Sequence, residues 1–302
     1  MTLRGPPENR SPADLLSFGV VNLDKPPGPS SHQLSGWLRD AVADTLEEST
    51  AEETIDNAAH AGTLDPKVTG CLPIMLGDAT RLAQVFLEGP KEYVAVLECH
   101  APVPSDAEAI VEEFEGPIYQ KPPRKSAVSR RLRVRTIHSL EVLEREPRRL
   151  LLRIRCESGT YVRKLCHDVG LALGTGGHMG HLRRTQTSPF DDTDLHTPYE
   201  FLDALAFWLE DDDPGRLFDV VDPAERILEQ LPRAVIAESA AIEVANGAPV
   251  YAPGLLEIDD DVDDGGLLAC FTPNGAAVCL GRLVGDPDAD SGTVVELERV
   301  LV

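Results

Sequence analysis

The chain has 302 residues, enough for two domains, and 42% of them are hydrophobic without any apolar run of membrane-spanning length. A formal charge of −23 argues, on the average, against a polyanionic partner, and six scattered cysteines without a C-x-x-C pair argue against a disulfide framework or structural zinc. The opening stretch MTLRGPPENRSPADLL lacks the apolar core of a secretory signal, so the expected setting is the cytoplasm, with reduced thiols and no membrane partner.

The average charge conceals its distribution. Between Gly116 and Phe190 stand 16 Lys and Arg against 5 Asp and Glu, while the other 227 residues carry 12 basic and 46 acidic side chains. The island is densest in QKPPRKSAVSRRLRVR (120–135), which has seven basic residues and no acidic one. A basic island in an acidic chain points to phosphate contacts. The candidates there are Lys121, Arg124, Lys125, Arg130, Arg131 and Arg133. Only 6 of the 28 basic residues are lysine, and acid-rich, lysine-poor surfaces resemble those of proteins from salt-loving organisms. High salt weakens every phosphate contact, so a concentrated island is still needed there.

In chain order, GVVNLDKPPGPSSHQLSGWLRDAV (19–42) predicts a strand, a proline-rich turn and a helix. Ser30 or Ser31 is the cap, and Leu34, Trp37, Leu38 and Val42 share one face. The acidic stretch 44–58 reads as a helix end entering a solvated loop. DATRLAQVFLEG (78–89) has amphipathic helical spacing ended by Gly89, 92–100 reads as a strand, and 104–116 as a helix. Alternation predicts paired strands over 132–144 and 149–158, followed by a helix with a glycine-rich end over 159–177. After an acidic connection (191–230), short β-like runs and turns such as TPNG and GDPD fill 231–302, with DDDVDDGG (259–266) as an exposed loop.

One stretch is placed for chemistry. In HAGTLDPKVTG (60–70) Pro66 biases Asp65 toward extended backbone, and Gly62 and Gly70 let the chain turn around it. Such a loop either holds a turn aspartate bonded to its own backbone or aims one carboxylate in a fixed direction.

HAGTLDPKVTGCLPIMLGDATRL (60–82) resembles the signature of the pseudouridine synthases of the TruB and dyskerin kind. NLDKPPGPSSHQ (22–33), KEY (91–93), and GTYVRKLCHDVG with GGHMGHLRRTQTSPF (159–190) resemble further motifs of that family, in order. LPRAVIAESAAIEVANGAPVYAPG resembles the start of a PUA domain, an RNA-binding module. The resemblance implies an α+β catalytic domain over 18–230 with a central mixed or antiparallel sheet. It also implies a small β-rich PUA domain over 231–302 and an N-terminal extension, 1–17, packing on it.

It implies that Asp65 is the catalytic aspartate, with Arg163 as its partner and Tyr93 as the active-site tyrosine. The reaction breaks the N-glycosidic bond of uridine, turns the base and joins C5 to C1′. A carboxylate can serve as nucleophile or as base, and neither metal nor organic cofactor is required. Read alone, Arg163 would be a phosphate-binding arginine and Tyr93 a core aromatic. His60 matches a histidine inserted into unstacked RNA, or it is a structural loop histidine. Leu182 matches an apolar wall of the uracil pocket, or it is core. Lys25, placed with the substrate-binding residues, and Arg183 and Arg184, placed with the RNA-binding ones, are phosphate contacts or structural residues rather than chemical participants.

The implied partners are tRNA or rRNA substrate, a box H/ACA guide RNA and small H/ACA core proteins. A non-catalytic RNA-binding scaffold is the alternative. The segment 231–302, with 3 basic and 13 acidic residues, is unusually acidic for an RNA module.

Overall fold

The computed structural model describes residues 3–49, 51–122, 129 and 131–302. Strands β1 (Gly19–Lys25), β2 (Ala58–His60), β3 (Thr69–Leu76), β4 (Lys91–Cys99) and β5 (Gly116–Gln120) are followed by β6 (Arg133–Glu146), β7 (Arg149–Cys156), β8 (Gly177–Thr187), β9 (Phe190–Asp191) and β10 (Asp222–Pro223). They form one ten-stranded sheet in the order β10-β1-β3-β8-β4-β7-β6-β5, with β2 beside β3 and β9 beside β8. Helices α1 (Pro12–Ser17), α2 (Ser31–Glu48), α3 (Val85–Glu88), α4 (Ala107–Glu112), α5 (Val162–Ala172), α6 (Pro198–Asp211) and α7 (Gly215–Val220) accompany it. Nearly all pairings are antiparallel, but β3 and β8 run parallel and meet only at Thr69↔Arg183 and Gly70↔Arg184.

That short parallel joint divides the sheet into halves, and each half has its own core. Leu23, Leu34, Leu38, Leu72 and Phe201 pack on one side, and Leu97, Leu152, Ile154, Leu165 and Val169 under α5 on the other. Tyr93 and Leu182 pack against both clusters. Close approach at the joint demands glycine: Gly70 has φ +97, and a Cβ there would stand 2.2 Å from the Arg184 carbonyl oxygen.

The remaining strands, β11 (Arg233–Ile236), β12 (Val250–Tyr251), β13 (Leu255–Ile258), β14 (Leu267–Phe271), β15 (Ala277–Leu283) and β16 (Thr293–Val300), form a six-stranded sheet with helix α8 (Glu238–Ala245). The Asp259–Gly266 stretch joins β13 to β14, and its aspartates are exposed. All six cysteines are unpaired and buried.

Three expectations change. Trp37 is 55% exposed, because the buried stripe of α2 runs through Ser31, Leu34, Ser35, Leu38, Val42 and Leu46, and Trp37 lies at its edge. The 78–89 helix is a 3₁₀ turn (Gly77–Leu82) and a single α turn, α3. Ala79, Leu82 and Val85 are all buried, and a spacing of three suits the tighter helix in which i and i+3 eclipse. The helix read over 104–116 is confined to α4, because Gly116 at φ +97 turns the chain into β5.

The two sheets are joined by a continuous core. Phe18, Val20, Phe86, Phe190 and Ile227 pack in one cluster with Ala269, Phe271, Ala277, Leu280 and Leu301. The chain start fastens this joint: Leu3 packs on the small-sheet core, and Arg4 reaches the Leu301 carbonyl and Asp78. The Arg10 guanidinium makes two bonds to Glu225, at 2.8 and 2.5 Å, and Glu225 accepts from the Ala277 amide at 3.0 Å. The sequence break near residue 231 suggests separable parts; the shared core shows that removing 231–302 would strip apolar cover from Phe18 and Phe86. Arg10 and Glu225 are 3% and 10% exposed, so removing one partner strands a buried charge. Arg10→Ala is therefore expected to lower the unfolding free energy by about 3–5 kcal/mol. Glu225→Gln in the same background should cost much less than it does alone; denaturant titration of the four proteins measures both.

Candidate active site

The loop that carries Asp65 is held from three sides. Lys25, at the end of β1, is fully buried, and its ammonium donates to the carbonyls of Pro26 (2.9 Å), Pro66 (3.1 Å) and Val68 (2.9 Å). Ser31, in the first turn of α2, donates to the Leu64 carbonyl at 3.1 Å and accepts from the Leu64 amide at 2.8 Å. The Gly28 amide donates to Pro66 at 2.8 Å, and Asp65 closes a turn by accepting from the Val68 amide at 2.9 Å. The Leu64 and Val68 side chains are sunk in the core of the first half-sheet. Asp65 lies between these anchors with its carboxylate outward.

Arg163 comes from the other half of the sheet. It stands in the first turn of α5, whose entry is fixed by the buried Gln120 at the end of β5. Gln120 donates to the Tyr161 carbonyl at 3.2 Å and accepts from the Tyr161 amide at 2.9 Å. Arg163 Nη2 bonds to Asp65 Oδ2 across the seam, and each side chain keeps 54% of its surface exposed. An ion pair so exposed contributes at most about 1 kcal/mol to stability. Its effect is orientation: two groups from different half-sheets are aimed at one another where solvent, or a nucleoside, can reach both.

Tyr93 and Leu182 line the same seam. Tyr93 is on β4, Ala95 pairs with Leu182, and the register Thr69↔Arg183 puts Leu182 beside the loop entering β3. Burial pushes the Tyr93 phenol above its ordinary pKa, and the Arg184 guanidinium partly opposes this. His60 ends β2 opposite Ile74, half-buried, and its Nδ1 is enclosed without a partner among the described residues. Burial and then the charge of Arg184 hold its pKa below the ordinary value, so its ring is neutral at pH 7.

For two residues placed at ligand the structural alternative holds. Lys25 does not face the substrate: its ammonium already serves three carbonyls and has no exposed surface. Arg184 does not face phosphate: it is 1% exposed and donates to the carbonyls of Cys71 at 2.7 Å and Gly62 at 3.3 Å. Arg183 is half-exposed, with two nitrogens on Asp24 at 3.0 and 3.3 Å. Lys121 and Arg131 are exposed and Arg133 half-buried, none with an ion pair among the described residues. Arg124, Lys125 and Arg130 lie outside the described residues. Antiparallel pairing sets Gln120 opposite Arg133, so Lys121 and Arg133 adjoin the residue that anchors α5.

Sequence reasoning missed Gln120, hidden in a stretch read for charge, and offered Ser30 or Ser31 as the helix cap without a further role for Ser31. Ser30 makes the cap, closing a capping box with Gln33. Among the described residues, no cluster of three or more metal-ligating side chains occurs, and no helix is long and apolar enough to cross a membrane. Because Lys25 and Ser31 grip adjacent parts of one loop, Lys25→Met and Ser31→Ala are each expected to speed hydrogen exchange at the Leu64 and Val68 amides. Ser31→Ala, which leaves two backbone groups unsatisfied, should also cost about 1–3 kcal/mol of stability by thermal melting.

Comparison with known families gives an ordered series of matches. Residues 52–162 match the N-terminal domain of the TruB family pseudouridylate synthases, and 163–229 the tRNA pseudouridylate synthase B C-terminal domain. Residues 5–35 match the DKCLD (NUC011) domain, and 232–301 the PUA domain. A relative from Halobacterium salinarum, named probable tRNA pseudouridine synthase B, is 60% identical over 100% of both chains. The chain is also similar to a solved Cbf5-Nop10-Gar1 complex, with TM-score 0.89 and 40% identity over 99% of this chain and 90% of that one. An H/ACA RNP bound to a substrate RNA containing 2'-deoxyuridine matches with TM-score 0.88 and 38% identity, covering 99% and 90%. The chain belongs to the TruB family of pseudouridylate synthases, in the form that carries a C-terminal PUA domain.

Proposed function

We propose that this protein isomerises uridine to pseudouridine in RNA, with Asp65, Arg163 and Tyr93 as its catalytic residues. The observation that carries this reading is the exposed Asp65–Arg163 pair spanning the seam, with Tyr93 and Leu182 beside it. Asp65 acts on the nucleoside as nucleophile or base; the glycosidic N1–C1′ bond breaks, the base turns, and C5 bonds to C1′ while its hydrogen leaves as a proton and the freed N1 takes one up, so that atoms and charge balance. Arg163 holds the carboxylate in direction through the exchange. Tyr93 stacks on or donates to the uracil ring, and Leu182 forms the apolar wall against which it turns. His60, a neutral planar ring at the crevice edge, fills the gap left in the RNA stack.

RNA reaches the crevice over the β5–β6 hairpin, where Lys121, Arg131 and Arg133 meet phosphates and Arg183 adds a partly engaged cation. The expected substrates are tRNA, at the TΨC loop, and rRNA selected by a box H/ACA guide RNA together with small H/ACA core proteins. The similarity to H/ACA assemblies supports the guided route, and the named tRNA relatives support the direct one. The protein works in the cytoplasm, and its acid-rich surface fits a salt-rich one.

Asp65→Asn is expected to abolish pseudouridine formation while RNA affinity stays within a few-fold of the parent, since an amide keeps the size but not the nucleophile. Incubation with unmodified tRNA, with and without guide RNA and partner proteins, followed by mapping of pseudouridine, reads both routes; turnover at the parental rate would remove Asp65 from the chemistry. Replacing Arg131 and Arg133 with Ala should weaken RNA binding and lower the salt slope by about one unit per lost phosphate contact. Binding isotherms at several salt concentrations measure it, and an unchanged slope would place both arginines away from RNA.

A further inference from the structure

Behind the crevice lies a cation that the proposed chemistry leaves without a role. Arg184 heads the fully buried side chains by volume. A buried guanidinium ordinarily finds an acceptor for each of its nitrogens. Nε donates to Cys71 and Nη1 to Gly62, but Nη2 is enclosed without an acceptor at hydrogen-bonding geometry among the described residues.

The register shows where that nitrogen is aimed. Arg184 is the direct cross-strand neighbour of Tyr93, so the two side chains leave the sheet on one face. On its other side Arg184 pairs with Gly70, and the absent Cβ at Gly70 lets β8 come close enough for the guanidinium to reach across β3 to the Gly62 turn. The Tyr93 phenol interacts with this guanidinium, which favours its ionised form against the larger, opposing effect of burial. A guanidinium has five donors and no acceptor, so a phenol facing it can only accept. Its own hydrogen must then point elsewhere, and the open side of Tyr93 is the crevice.

We propose that Arg184 is a positioning residue: it ties the turn before the catalytic loop to β3 and holds the Tyr93 oxygen as an acceptor, directing the phenol hydrogen at the substrate. The proposal rests on the catalytic role given to Tyr93. Catalytic hydrogen bonds are often long in the free enzyme and tighten when substrate is bound, which accounts for a nitrogen left one bond short in the free protein.

The test is a double-mutant cycle of Arg184→Met and Tyr93→Phe in the full chain, read by single-turnover pseudouridine formation and by RNA affinity. Arg184→Met is expected to slow the reaction on the order of a hundredfold, as a misplaced reacting group does, with RNA affinity within a few-fold. The loss should be strongly non-additive with Tyr93→Phe, because both changes remove one interaction. Ultraviolet titration, taken as the difference between the parent and Tyr93→Phe, should show the Tyr93 phenol ionising at higher pH once Arg184 is gone. A purely structural arginine would slow the reaction additively and leave that titration in place, and either result overturns the proposal. Arg184→Lys keeps charge and stem but cannot span Gly62, Cys71 and Tyr93 together. It is expected to be intermediate in rate, and it supplies the same cycle where Arg184→Met does not fold. Full activity of Tyr93→Phe alone would instead overturn the catalytic role of Tyr93.

Discussion

The buried ammonium of Lys25 is the constraint on which the rest of the site depends. Taking a lysine charge out of water is costly, and burial lowers its pKa; only three carbonyls converging on one nitrogen offset that cost. Two of those carbonyls, of Pro66 and Val68, belong to the loop that carries Asp65. Any shift of the loop would leave the charge without its acceptors, so the position of the loop and the burial of Lys25 are one condition. Ser31 fixes the preceding residue from the helix side. The carboxylate can thus remain half-exposed on a backbone that has little freedom, which is the combination a reacting group requires.

The seam explains why these side chains meet where they do. β3 and β8 touch at two residue pairs, and each half-sheet builds its own core away from that joint. Side chains from both halves meet where the pairing is thinnest: Asp65 from one, Arg163, Tyr93 and Leu182 from the other. A continuous parallel ladder would have filled this space with backbone hydrogen bonds. Gly70 makes the joint tight and Gln120 fixes the helix that answers across it, so the opening is shaped by two buried residues.

Charge is distributed by the same logic. Many arginines of the basic island are engaged at home: Arg135 with Glu157, Arg145 with Glu108, Arg153 with Glu141 and Arg183 with Asp24. The cations without such partners among the described residues include Lys121 and Arg131, on the hairpin beside α5. A net count therefore overstates the positive surface, while its location next to the crevice makes the remainder effective. The acidic small domain meets the catalytic sheet through apolar packing and through the Ala277 amide's bond to Glu225, which the buried Arg10 holds, and salt screens such buried contacts little.

The linear sequence by itself determined the elements whose pattern is local. The paired strands β6 and β7, helix α5 with its glycine-rich end, a serine cap at Ser30 or Ser31 and the turn around Asp65 follow from alternation, helical spacing, cap chemistry and the Gly and Pro positions. The ordered motifs also single out Asp65, Tyr93 and Arg163, which the structure brings to one seam. Only tertiary structure decided what the cations do. Lys25, Arg183 and Arg184 are equivalent as letters in basic or motif-rich stretches, yet one is a buried clamp, one a half-exposed ion pair and one a buried donor behind Tyr93. The difference is which acceptors lie within hydrogen-bonding distance, and those belong to carbonyls and carboxylates as far as 159 residues away in the chain. The joining of the two sheets is hidden for the same reason, because Phe18 and Phe271 share a core through contacts that no local periodicity encodes.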